Sequence, residues 1–384
     1  MATLVEKPPI RPPQEEESAA HNALLRKREA REVWLLLALQ PVFLVLGNVL
    51  LVNAMHYLSL FEGVKRLYAF NTLVIPCSLA VAGALALWCW RRAGRRQRWL
   101  FRAAGACLIG AFLGVGVRAY ATYVEPRMLF VRQVDIVTAK VDRPLRILHI
   151  SDIQSGRVGS YERRAFARMR ALSPDLVLHT GDLSQPVPPA AWQTEAPKLA
   201  ALFETLNPPL GKFGVYGDVD AYFHAKAGGD VGGLKILESQ EAVVPLGGSQ
   251  LRILGLSLPE SALGDHEHVR QWLDEAGPKD FTIVMGHMPD YAMSLQDLPV
   301  DLCLAGHTHG GQVRIPLFGP LMTLSAVPRD WARGFRSIGA TSLNVTGGVG
   351  SEHGDDVPPL RLFCPTEMTL IRLWPAPEGK NEQP

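Results

Sequence analysis

Hydrophobic and polar positions divide this chain into two regimes. Before about residue 125 the apolar residues come in long runs, and after it in short ones punctuated by Gly and Pro. Val33 to Phe61 comfortably exceeds the roughly 20 residues needed to cross a hydrocarbon core. Leu67 to Trp90 is a second such run, and Ala103 to Val117, extending to Val124, a third. The pattern predicts a membrane region of three transmembrane helices over residues 32–124, with a short loop from Glu62 to Arg66. Arg118, inside the third run, is expected to snorkel toward a membrane face.

From about Arg143 the period changes to short β-type runs separated by helical stretches, the alternation of an α/β domain. Strands are predicted at Arg146–Ile150, Leu176–His179, Phe213–Tyr216, Leu251–Leu256, Phe281–Met285, Leu302–Ala305, Leu343–Val345 and Met368–Leu373. Ala165, Met169 and Leu172 fall at i, i+4 and i+7, one face of a helix that Ser160 is placed to cap. The length suits one large sandwich, and no internal repeat is visible.

Composition changes this picture only at the ends and in the loops. With 47% apolar and 20% charged residues the chain is that of an ordinary folded protein. The net charge of +2 is no nucleic-acid footprint, because the basic residues cluster beside the apolar runs. Residues 1–31, rich in Pro, Glu, Lys and Arg, read as a disordered basic tail, and 375–384 as a second disordered tail. Arg91, Arg92, Arg95, Arg96, Arg98 and Arg102 crowd the connection between the second and third runs. The positive-inside rule puts that loop and the N-terminus in the cytoplasm, and three spans then leave everything after Glu125 on the extracytoplasmic side. Five cysteines, three of them in the apolar runs, make no disulfide framework; Cys303 and Cys364 are expected to be buried thiols.

Candidate chemistry sits at the strand ends. Ser151-Asp152-Ile153-Gln154, Gly181-Asp182-Leu183, Gly217-Asp218-Val219-Asp220, Gly286-His287-Met288 and Gly306-His307-Thr308-His309 each follow an apolar strand directly. Loops at strand ends are where α/β folds place their sites. If the last stretch is extended, alternation lets His307 and His309 reach one centre while Thr308 faces away. His149 and His179 precede ligand-type residues on strands and are expected to be hydrogen-bonded core histidines. His266 and His268 lie among charges on an expected solvated helix face.

This run of motifs resembles the calcineurin-like metallophosphoesterase family, whose order is Asp-x-His, Gly-Asp, Gly-Asn-His-Asp/Glu, a lone His and Gly-His-x-His. The resemblance covers residues 144–374, and Gly306 to Gln312 is its most specific part. Pro316-Leu317-Phe318-Gly319-Pro320, Gly347-Gly348-Val349-Gly350 and Arg361-Leu362-Phe363 resemble the membrane-associated bacterial branch. It implies an α/β fold in which N-terminal transmembrane helices precede a metallophosphoesterase-type β-sandwich flanked by helices. It further implies two divalent ions of manganese, iron or zinc character. Carried over residue by residue, Asp152, Asp182 and His309 would hold the first metal, and Asp182, Asp218, His287 and His307 the second. The expected substrate is a phosphate ester or pyrophosphate, and a lipid-type one suits a membrane-anchored site.

Three positions depart from the family pattern. Gln154 stands in place of a His ligand, and its amide oxygen is a poorer donor; Asp218 stands in place of Asn and adds a negative charge. Val219 occupies the position of the family's catalytic His and can neither transfer nor donate a proton. Asp220, the partner of that His, is left orphaned or reused. His224 and His353 are candidates for the missing acid, and Arg157 is a candidate phosphate contact. The alternative to an enzyme is a binding or sensor module that keeps its metals without catalysis.

Overall fold

The computed structural model describes residues 13–54, 60–93, 98–186, 191–220, 223, 230–263, 267–354 and 358–377. The chain forms two compact units, Met1–Ala119 and Tyr120–Pro384.

In the first unit, α1 (Pro13–Ala54), α2 (Leu60–Ala69), α3 (Ile75–Ala93) and α4 (Arg98–Ala119) follow one another. Three helical stretches, Ala20–Ala54, Arg66–Arg92 and Arg98–Arg127, are long and apolar enough to cross a membrane. Their boundaries correct the expected ones. Residues 13–31, expected as disordered tail, are helical, because their Glu, Ala, Leu and Arg are strong helix formers. The first apolar helix is described as far as Ala54, residues 55–59 lie outside the described residues, and Leu60, Phe61 and the expected Glu62–Arg66 loop lie inside α2. Polar residues that interrupt the apolar runs find one another. Asn48 and Asn71 exchange amide hydrogen bonds of 3.1 and 2.6 Å, and Ser78 donates to Gln40 at 3.0 Å. Such pairs relieve the cost of polar groups in an apolar setting. Arg118 donates to Thr72 Oγ1 at 3.1 Å and lies over the Tyr68 ring.

The second unit is a sandwich. Its strands are β1 (Phe130–Thr138), β2 (Leu145–Ile150), β3 (Leu176–Thr180), β4 (Lys212–Val215), β5 (Asp230–Val231), β6 (Leu234–Ile236), β7 (Gln240–Pro245) and β8 (Gln250–Gly255). They continue as β9 (Phe281–Met285), β10 (Leu302–Ala305), β11 (Arg314–Ile315), β12 (Gly319–Pro320), β13 (Gly334–Ile338), β14 (Thr341–Val345) and β15 (Glu367–Pro375). One sheet has the order β1-β15-β2-β3-β4-β6-β5 and the other β13-β14-β10-β9-β8-β7, with β11 and β12 a separate hairpin. β2, β3 and β4 run parallel, as do β8, β9 and β10.

Period-2 alternation sorts the apolar side chains into three cores. Leu145, Ile147, Leu176 and Leu178 of one sheet face Ile253, Ile283, Leu302 and Leu304 of the other. Leu148 and Ile150 turn outward onto α5 (Ser160–Ala171) and α6 (Trp192–Glu204) through Phe166 and Phe203. Leu254, Val284 and Cys303 turn outward onto Val269 and Trp272 of a helix at Glu267–Asp274. Strands apolar on both faces are the mark of a sheet covered on both sides. The expected helix is present, but its cap is Gly159, whose N–H donates to Glu162 at 2.7 Å, and Ser160 is the first helical residue. Cys303 and Cys364 are buried free thiols.

The domain begins earlier than the expected residue 144, since β1 pairs in parallel with β15 from Phe130↔Glu367 onward. Buried Glu367 fastens that edge. It accepts from Arg132 Nε and Nη2 at 3.1 and 2.9 Å and from Arg333 Nε and Nη2 at 3.1 and 2.7 Å. Burial pushes the Glu367 carboxyl up, but the hydrogen bonds and charge of Arg333, with those of Arg132, outweigh it and hold the group below its ordinary range. A carboxylate with a depressed folded pKa stabilises the fold above its unfolded pKa, about 4.3, and that contribution is lost as pH falls through the folded value. Glu367→Gln is therefore expected to lower the urea midpoint at pH 7, with the gap to wild type closing below about pH 4. A gap that stays constant across that range would contradict the ion-pair account.

Candidate metal centre

Parallel strands deliver their carboxyl ends to one edge of each sheet, and the loops that follow β2, β3, β4, β9 and β10 meet there. The meeting is crowded enough to dictate local sequence. A Cβ on Gly217 would fall on Asp182 Oδ1, and one on Gly306 would fall on Ser151 Oγ and lie 2.6 Å from Asp152 Oδ2. Only glycine fits where the backbone of one loop passes the carboxylate of another. Asp152, Gln154, Asp182, His307 and His309 all sit at positive φ, between 38° and 64°. Non-glycine residues adopt that region at a cost and cluster there at functional sites.

The donors fall into two groups, Asp152, Asp182 and His309 in one and Asp218, His287 and His307 in the other, with the ligand atoms of each within 4.8 Å of one another. This corrects the expectation that His307 and His309 reach one centre. The strand ends at Ala305 and a 3₁₀ turn begins at His309, so the two rings diverge into different groups. Thr308 does face away, donating to Ala332 O at 2.7 Å.

Hydrogen bonds on the far side of each ring orient the imidazoles. His287 Nδ1 donates to Thr180 O at 2.8 Å, and His307 Nε2 donates to Leu324 O at 3.1 Å. With those protons placed, His287 Nε2 and His307 Nδ1 face each other at 3.3 Å, a separation that one proton or a shared cation between them satisfies. His287 Nε2 also lies 3.1 Å from Asp218 Oδ1 and 3.4 Å from Asp182 Oδ2. Burial opposes ionisation of His287, but Asp182 and Asp218 raise it well above the ordinary histidine range. Burial likewise pushes Asp152 up to about 7. His309 moves the other way, held low by burial and by the Arg361 guanidinium, and so stays neutral.

Three buried polar atoms here have no hydrogen-bond partner: Asp152 Oδ2, Gln154 Oε1 and His309 Nε2. Asp152 Oδ2 and Gln154 Oε1 are orphaned buried acceptors, and a cation fits as their missing partner; His309 Nδ1 accepts from Arg361 Nη2 at 3.2 Å, so the neutral ring carries on Nε2 a proton with no acceptor. These unpartnered oxygens suit a metal at the first group, and Asp218, His287 and His307 offer a second group of the same ligand types.

Gln154 is held from its other end. Its Nε2 donates to Asp182 Oδ2 at 2.9 Å and to Glu352 Oε2 at 2.8 Å, while Gln185 Nε2 donates to Glu352 Oε1 at 2.7 Å. Glu352 was not legible as a site residue. It belongs to the polar insert after Gly350, and nothing local says that the insert folds over the first motif. Arg361, fully buried, was legible only as part of a resemblance; it donates to carbonyls of Gly347, Gly350, His309 and Cys364 and props the loop under His309.

The remaining candidates have other work. Asp220 faces backbone, not solvent: Oδ2 accepts from Asp182 N and Gly217 N, and Oδ1 from Leu183 N, each at 2.8 Å. It is a clamp behind Asp182 and Asp218. Val219 is half-buried, with its backbone N–H donating to Asp182 Oδ1 at 3.2 Å. His224 and His266 lie outside the described residues. His353 donates to Ser351 O and packs against Gly156. Arg157 is exposed, and its charge acts on Glu195. His149 is a core histidine as expected, placed between Thr180 Oγ1 and Asn344. His179 accepts from Gly181 N. His268 pairs with Glu260 at 3.0 Å.

Comparison with known proteins agrees with the geometry. Residues 145–311 match the calcineurin-like phosphoesterase family. The uncharacterized metallophosphoesterase YkuE of Bacillus subtilis (strain 168) is 28% identical over 291 residues, 72% of this chain and 97% of that protein. An uncharacterized metallophosphoesterase of Aquifex aeolicus (strain VF5) is 26% identical over 68% of this chain and 98% of its own length. The phosphodiesterase YaeI of Escherichia coli (strain K12) is 39% identical over 92 residues, 24% of this chain and 32% of that one.

The clamp is testable apart from any activity. Asp220→Ala strands three buried N–H groups at about 1–3 kcal/mol each, so a loss of at least about 3 kcal/mol is expected in urea unfolding. Val219→Ala, one residue away, should cost less than about 1.5 kcal/mol. Equal losses would mean that Asp220 is not the clamp.

Proposed function

We propose that this chain, which carries a calcineurin-like phosphoesterase domain, hydrolyses a phosphodiester or pyrophosphate bond at a two-metal centre. Asp152, Gln154, Asp182 and His309 form one half, and Asp182, Asp218, His287 and His307 the other, with Asp182 shared. The observation that carries this reading is the pair of three-donor groups, with Asp152 Oδ2 and Gln154 Oε1 buried and unpartnered at the first of them. Two divalent ions of manganese, iron or zinc character supply, when bound, the charge that stabilises the attacking and leaving oxygens.

The chain's own part is positioning. Thr180 O and Leu324 O fix the ring orientation of His287 and His307, and Asp220 fixes the backbone of Asp182. At the position of the family's acid, Val219 has no proton to give the leaving group. General acid catalysis typically contributes ~10² to 10⁴ in rate, so preference falls on leaving groups that depart as anions: phosphates, pyrophosphates and activated esters. Three helices long and apolar enough to cross a membrane support an anchored domain, and the arginine-rich connection supports an extracytoplasmic side for it. That setting favours an amphipathic, lipid-type phosphate. A non-catalytic binding module is the second reading, favoured by Gln154 and Val219 together.

Purified full-length chain in detergent is expected to hydrolyse bis(p-nitrophenyl) phosphate, with loss of at least about 10²-fold in His287→Ala. Val219→His is expected to leave that substrate nearly unchanged and to raise the rate on an alkyl phosphodiester by ~10² or more. Failure of wild type and Val219→His on both substrates would give the binding module the stronger claim.

A further inference from the structure

The β11–β12 hairpin and the segment after it carry apolar side chains into solvent beside the metal-ligand groups. Leu317 at the tip is fully exposed at 110%, and Ile315, Phe318, Leu321 and Leu324 are exposed with it. Phe363 joins them at 60%, brought alongside because Val313 bridges Leu362 and Arg314 N donates to Leu362 O at 2.9 Å. A contiguous set of this kind is uncommon on a surface facing only water.

Two further observations say what it faces. From Gly310 to Arg329 there is no Asp or Glu, and both charges, Arg314 and Arg329, are positive. The Arg329 guanidinium lies 5.0 Å over the Phe318 ring, so a cation flanks the apolar tip. An apolar tip fringed by arginine matches the headgroup and acyl boundary of a bilayer that contains anionic lipid. The same chain holds three helices able to cross a bilayer; the third candidate span runs to Arg127, and β1 begins at Phe130.

The surface is joined to the chemistry. Leu324, held at φ 55°, supplies the carbonyl that accepts from His307 Nε2. Leu317 is also at positive φ, 68°, so the backbone is shaped to put that side chain outward.

We propose that this hairpin is an interfacial membrane-docking surface that inserts its apolar tip into the bilayer and brings lipid-borne phosphate to the adjoining metal centre. The proposal rests on the phosphoesterase reading of that centre and narrows its substrate to a phosphate bond carried by a lipid. The lipid chain stays in the bilayer, and the hairpin sets the depth at which the phosphate meets His307 and His287.

The test uses full-length chain in nanodiscs of mixed neutral and anionic phospholipid. Leu317→Cys, in a background with Cys77→Ala and Cys107→Ala, carries an environment-sensitive fluorophore; Leu263→Cys, also exposed, at 83%, but on another element, is the control. The label at 317 is expected to be quenched by spin-labelled lipid and protected from aqueous iodide, and the label at 263 to show the reverse. Iodide access at both positions would overturn the proposal. Protection at 317 that follows the number of chains per nanodisc and not the lipid quencher would also overturn it, in favour of a contact between copies.

A second readout separates docking from the site's chemistry. Leu317→Asp with Phe318→Asp should lower kcat/KM about tenfold on nanodisc-embedded hexadecyl p-nitrophenyl phosphate and leave bis(p-nitrophenyl) phosphate unchanged. Equal loss on both would contradict docking. Loss of all hydrolysis in wild type with lipid quenching intact at 317 would overturn the assignment of lipid phosphate as substrate and leave the membrane contact standing.

Discussion

Three carboxylates, Asp152, Asp182 and Asp218, converge where two sheets end, and their repulsion is the constraint to which the rest of the domain answers. Asp152 and Asp182 are wholly shut off from water, so neither is relieved by solvent. Charge this concentrated persists only when positive charge is supplied and every carboxylate oxygen has a partner. The protein meets part of that need with His287 and His307, which the same carboxylates drive toward the protonated state. The oxygen of Asp152 and the nitrogen of His309 that remain unpartnered show where its own resources end. Around this point the glycines, the positive φ angles and the Asp220 clamp become one set of consequences. Loops must pass within contact distance to aim five strand ends at one place.

The departures from the family pattern act on the same charge balance. Asp218 adds a carboxylate at the more exposed group, where its side chain remains 45% accessible. Gln154 subtracts an imidazole, and its amide hydrogens are divided between Asp182 and Glu352. The first group becomes poorer in nitrogen and richer in oxygen, which favours a harder cation there than at the imidazole pair. Val219 offers no ligand atom, so that departure bears on proton supply and leaves the donor set unchanged.

How much of this could be read from the sequence depends on the range of the interactions. β9 and β10 were legible to the residue, because both are short apolar runs ended by Gly and a ligand, and the covered sheet demands that pattern. β1 was missed: it is an edge strand with Arg132, Gln133 and Asp135 in it and little that is fully buried, so it shows no apolar run. β13 is likewise an edge strand whose middle residues are only partly covered. The ligands announced themselves as Gly-Asp and Gly-His after strands. Their division into two groups did not follow from spacing, because a turn and not a strand carries His309. Glu352 depended on the path of a loop nearly two hundred residues from its partner Gln154, and nothing in its neighbours encodes that.

The central claim is that the strand-end carboxylates and imidazoles exist to hold metal, and the most direct measurement is the metal content of full-length chain purified in detergent without chelator. Two transition-metal ions per chain are expected, falling to one or fewer in His287→Ala. No metal, or a single ion that His287→Ala does not remove, would contradict the account.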